Sequence, residues 1–103
     1  MLLLALALLP LVGYAQKAKD LGQTPQMGWS SWNKFQGNIN EDIIKGIADA
    51  MVTSGLRDAG YTYVNIDDCW HGKRDADGFI QPDPQRFPSG MKALADYIHA
   101  RGL

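Results

Sequence analysis

The stretch DAGYTYVNIDDCW, residues 58–70, decides the fold. Gly60 leads into a run of aromatic and β-branched side chains from Tyr61 to Ile66, the types that fit a pleated, half-buried surface. Asp67 and Asp68 break that run, since a charged pair is ill suited to a strand interior, so a strand is predicted to end at Asp67. A helix is predicted upstream of it. Asn40 is a favourable N-cap, Glu41 and Asp42 place negative charge in the first turn, and Ile39 and Ile44 hold the two positions of a hydrophobic staple. Ile43, Ile44, Ile47, Ala48, Met51 and Val52 then recur on one helical face, and Ser54-Gly55 ends the pattern. Before this helix, MGWSSWNKF (residues 27–35) alternates bulky and small residues, as a short strand running into a loop does.

Downstream, residues 68–88 show no periodicity, only charged residues, Gly72, Gly78 and three prolines. About twenty residues is a long connection for a compact domain, and such loops usually carry function. Ser89 is positioned to cap a second amphipathic helix, with Met91, Leu94, Ala95 and Ile98 on one face, His99 and Arg101 in the last turn, and Gly102 as the residue after the end. The order strand, helix, strand, long loop, helix is the alternation of an α/β protein with a parallel sheet. Neither GxGxxG nor GxxxxGK[ST] occurs, so a nucleotide site has no support. The formal net charge of −1 and the absence of a basic patch argue against a nucleic-acid partner.

In parallel α/β folds, ligands meet the C-terminal ends of strands and the loops that follow. Two sets of residues qualify. Trp29, Trp32 and Asn33 follow the first strand, and Asp67, Asp68 and Trp70 follow the second. Paired carboxylates suit vicinal hydroxyls, because each oxygen accepts charge-assisted hydrogen bonds, and an indole covers the apolar face of a pyranose. The same residues have plainer uses: an Asp-Asp pair terminates strand pairing or caps a turn, and Trp is commonly core. His71 and His99 have no partners at metal-ligand spacing, and Ser30-Ser31 lacks a nucleophile elbow, so neither a zinc site nor an esterase is expected.

Leu2 to Val12 is apolar but too short to span a bilayer, which takes about 20 helical residues. It reads as a signal peptide over residues 1–15, with Gly13 and Ala15 at the cleavage site, although it lacks a basic leading residue. Residues 16–26 form a polar lead, residues 27–103 carry the strand and helix patterns of an unfinished α/β domain, and the expected location is secreted or periplasmic, without stable membrane insertion. Cys69 is the single cysteine.

MGWSSWNKF, DAGYTYVNIDDCW, Arg74-Asp75 with Asp77-Gly78, and QPDPQRFPSGMKALADYIHARGL occur here in that order. Together they resemble the opening of the α-galactosidase and α-N-acetylgalactosaminidase family of retaining glycoside hydrolases, from about Leu21 to Leu103. The resemblance implies a (β/α)8 TIM barrel, of which this chain holds the first two βα units, and release of a terminal α-linked galactose-type sugar from an oligosaccharide or polysaccharide. No cofactor and no metal are implied. Trp32 corresponds to the aromatic wall against the sugar, and Asp67 and Asp68 to the carboxylates that hold its distal hydroxyls. The nucleophile and the acid/base are further aspartates on later strands, expected beyond Leu103, so the fragment by itself is expected to be inactive. Many members carry a cysteine shortly after the first strand that pairs with the one in DDCW; here FQGNI places Gly37 at that position, leaving Cys69 without that partner. The alternatives are α-N-acetylgalactosaminidase activity, a sugar-binding protein without catalysis, and a protein anchored by its apolar segment.

Overall fold

The computed structural model describes residues 21–103, so the expected signal peptide and its cleavage point lie outside the described residues. Seven elements follow one another: β1 (Gly28–Ser30), α1 (Trp32–Phe35), α2 (Glu41–Thr53), β2 (Tyr63–Asn65), β3 (His71–Arg74), β4 (Ile80–Pro82) and α3 (Gly90–His99). Residues 21–26 before them are exposed and carry neither helix nor strand. β1 and β2 pair in parallel, Gly28 opposite Tyr63 and Ser30 opposite Asn65, with α2 in the crossover between them. Close approach at the start of this pairing requires glycine, because a Cβ on Gly28 would lie 2.2 Å from the Tyr63 carbonyl oxygen.

The staple and cap of α2 form as expected. Asn40 is extended and its Oδ1 accepts from the Ile43 N–H at 2.9 Å, while Ile39 and Ile44 are both buried. Gly55, with φ of 83°, ends the helix. Ile44 and Ala48 join Ile39, Phe87, Leu94 and Ile98 in one core, with Val64 and Ile66 of the β2 segment against it. Each fully buried large aliphatic or aromatic side chain of this kind stabilises by roughly 1.5–3 kcal/mol. A polar clasp joins α2 to the end of α3. Tyr97 Oη donates to Asp49 at 2.8 Å, the Arg101 guanidinium pairs with the same carboxylate and lies 3.3 Å over the Tyr97 ring. The Arg101 and Tyr97 hydrogen bonds hold the Asp49 carboxyl below its ordinary range.

Five expectations are corrected. MGWSSWNKF continues from β1 into the short helix α1 rather than directly into a loop. β2 ends at Asn65, not Asp67, because the Asp67 N–H turns to the Ser31 hydroxyl instead of a ladder carbonyl. Residues 68–88 are not without regular structure: β3 and β4 form an antiparallel hairpin with an irregularity between His71 and Arg74. Its turn is built on Asp75, which accepts from the N–H groups of Asp77 and Phe79 and from Gln81. Ser89 does not cap α3 with its side chain; its N–H and hydroxyl both donate to the Glu41 carboxylate at the start of α2. Gly102 is left-handed as expected, but α3 has already ended at His99.

Candidate functional site

The C-terminal ends of β1 and β2 are fastened by one residue. Ser31 is fully buried; its N–H donates to the Asn65 carbonyl at 3.1 Å and its Oγ accepts the Asp67 N–H at 2.9 Å. Its own carbonyl accepts from the Phe35 N–H and so starts α1, whose first residue is Trp32. Ser31 therefore fixes both sequence-predicted groups, Trp32 on one side and Asp67 and Asp68 on the other. Sequence reading considered this serine only as a nucleophile and missed its role as a fastener. The available signal was a small hydroxyl residue directly after one strand, in a protein whose neighbouring strand ends on an N–H with no ladder partner.

The aspartates are held from one side. Asp67 Oδ1 accepts the Asp68 N–H at 2.8 Å, and Asp68 Oδ1 accepts the Cys69 N–H at 2.6 Å and meets His71 Nε2 at 3.2 Å. No protein donor reaches either Oδ2 among the described residues, so both remain as acceptors facing solvent. The Cys69 N–H, and after it the His71 contact, holds the Asp68 carboxyl below its ordinary range, which keeps it ionised. The chain turns sharply at Cys69, which adopts a φ of 70°. For a residue other than glycine that conformation costs roughly 1–2 kcal/mol.

The three tryptophans separate. Trp29 and Trp70 pack against the core, Trp29 with its ring edge-on to Phe35. Trp32 stays 41% exposed. For Trp29 and Trp70 the plainer reading as core residues holds, and Trp32 is the one free for a ligand. Asn33 is exposed on α1.

Arg86, which sequence reading did not single out, braces the floor. Its Nη1 donates to the Gly37 carbonyl at 2.7 Å and the Cys69 carbonyl at 3.0 Å, joining the loop after α1 to the turn after the aspartates. Gly37 and Cys69 are neighbours, and a Cβ on Gly37 would stand 3.2 Å from Cys69 Sγ and 3.8 Å from its Cβ. Asp83 holds the segment that carries Arg86 by accepting the N–H groups of Gln85 and Arg86. Among the described residues no group of His, Cys, Asp and Glu is placed to hold a metal ion, and no helix is long and apolar enough to cross a membrane.

Comparison with known proteins places this geometry in context. A family model described as Alpha galactosidase A matches residues 24–103. The Alpha-galactosidase A of Cellvibrio japonicus is 66% identical over 89 residues, covering 86% of this chain and 22% of that protein. Among solved structures, alpha-galactosidase I from Mortierella vinacea superposes with a TM-score of 0.81 at 46% identity, covering 84% of this chain and 22% of that one. The alpha-galactosidase of Saccharomyces cerevisiae solved with raffinose gives a TM-score of 0.77 at 47% identity, covering 79% of this chain and 18% of that one. The chain thus spans about a fifth of the length of the curated relatives it matches.

Proposed function

Because the chain belongs to the Alpha galactosidase A family, we propose that it forms the sugar-holding corner of an α-galactosidase, which hydrolyses terminal non-reducing α-D-galactose from galactosides such as raffinose. The observation that carries this is the pair of carboxylates at the joined strand ends. Asp67 and Asp68 are each tethered through Oδ1 and open at Oδ2, and Ser31, which accepts the Asp67 N–H, directly precedes the exposed Trp32. Two fixed anionic acceptors at successive positions match two hydroxyls of one sugar, and tethering them in advance lowers the ordering cost of binding. Trp32 supplies the apolar wall for the ring's C–H face.

The architecture in which this corner operates is the opening of a (β/α)8 barrel. The parallel β1–β2 pair with α2 in its crossover supports it, as does the outer edge of β2, which pairs with no strand among the described residues. Beside that edge runs an apolar groove of about 400 Å³ lined by Val64, Ile66, Met91, Leu94 and Ile98, a shape suited to a further parallel strand. Retaining hydrolysis requires two carboxyl groups roughly 5 Å apart on opposite sides of the scissile bond. Asp67 and Asp68 are assigned to binding, and the nucleophile and acid/base to other strands of the complete enzyme.

The test is a graft of residues 21–103 into the Cellvibrio japonicus relative, assayed on an α-galactoside with and without Asp67→Ala or Asp68→Ala. Each loses a charge-assisted hydrogen bond of about 1.5–3 kcal/mol, so kcat/KM should fall roughly 10- to 150-fold, with KM raised. Near-parental kinetics in both variants would show that the pair is structural.

A further inference from the structure

His71 opens β3, three residues after Asp68, and its ring contacts two oxygens. Nε2 is 3.2 Å from Asp68 Oδ1 and Nδ1 is 3.4 Å from the Gly72 carbonyl oxygen. Both of these oxygens can only accept. A neutral imidazole has one N–H and one lone pair, so it satisfies one contact and opposes the other; the imidazolium donates to both. Contact with a carboxylate selects a form that carries a proton on Nε2, so the ring donates to the group that the proposed function assigns to a sugar hydroxyl.

The other charged groups around this turn are engaged elsewhere. Asp67 accepts from the Asp68 N–H, Asp83, which follows β4, accepts from the Gln85 and Arg86 N–H groups, and Arg86 donates to the carbonyls of Gly37 and Cys69. Trp70 meets the imidazole with its ring edge-on at 6.0 Å and carries no charge. Among the described residues Asp68 alone forms an ion pair with His71.

Resting on the α-galactosidase reading, we infer that His71 is a positioning residue: donating from Nε2, it pins Asp68 Oδ1 and thereby aims Oδ2 at the sugar, strengthening galactose binding. Asp68 has two donors on Oδ1, the Cys69 N–H and His71 Nε2, and the second holds the carboxylate more firmly than the first does by itself. Both partners are more than a third exposed, with side-chain exposures of 45% and 61%, so the effect is modest. An exposed pair of this kind corresponds to about a two- to five-fold change in affinity.

The test measures the inhibition constant of free galactose against the grafted enzyme. His71→Ala, which leaves Asp68 Oδ1 with one donor, should weaken binding about two- to five-fold. In an Asp68→Asn background, His71→Ala should leave the constant unaltered. An unaltered constant in His71→Ala alone, or the same loss in the Asp68→Asn background, would overturn the inference. A graft with intact His71 that hydrolyses no α-galactoside would instead count against the α-galactosidase reading itself.

Discussion

Replacing Gly37 by cysteine should create a disulfide with Cys69 without moving the backbone. The ideal Cβ at position 37 stands 3.8 Å from the Cys69 Cβ and 3.2 Å from its Sγ. Disulfides favour a Cβ–Cβ separation of about 3.8 Å, and the neighbouring sulfur then lies near 3 Å. No left-handed φ at Gly37 resists a side chain. The bond would close a loop of about 33 residues, and the loss of chain entropy in the unfolded state corresponds to roughly 3–4 kcal/mol. The Gly37→Cys graft, oxidised, should therefore unfold a few degrees or more above its reduced form. Peptide mapping should recover the segments around residues 37 and 69 as one linked species, and alkylation under native conditions should label neither. Full labelling of both thiols after oxidation, or linkage with a lowered unfolding temperature, would refute the reasoning, since either result means the two Cβ positions do not meet as described. Gly37→Ala is the control: it places the same methyl against the thiol with no bond to gain.

Ser31→Ala should cost about 1–2 kcal/mol by stranding the Asp67 N–H; with Asp67 loosened, KM for an α-galactoside should rise while kcat changes less, and unchanged kinetics would separate Ser31 from the site. Gly28→Ala should abolish soluble, folded protein, because its methyl would meet the Tyr63 carbonyl at 2.2 Å and the Tyr63 Cβ at 2.6 Å. A cooperative unfolding transition in Gly28→Ala close to that of the parent would contradict the parallel register of β1 and β2.

The elements legible in the sequence were those whose signals are local. Asn40, Ile39 and Ile44 announce the start of α2 because cap and staple act within one turn, and both form. The aromatic and β-branched run after Gly60 marks β2 for the same reason, though its end was read two residues late. That end depends on the Ser31 hydroxyl, 36 residues away in the chain. The hairpin of β3 and β4 gave no signal, since nearly every residue on both strands is exposed and no face alternates between apolar and polar. Ser89 looked like a cap and instead serves Glu41 on another helix. In the site, Trp32, Asp67 and Asp68 stood out by type and place, whereas Ser31, His71 and Arg86 act through partners that only the folded chain brings near.

Arg86 gives the floor of this corner a property that a sulfur bridge would not. Its guanidinium stays protonated at any pH a cell encounters, and neither thiols nor peroxides act on its grip on two carbonyl oxygens. The loops behind the aspartates are thus joined by a fastening that is indifferent to redox conditions. With Gly37 opposite it, Cys69 can be oxidised or reduced without that fastening being cut.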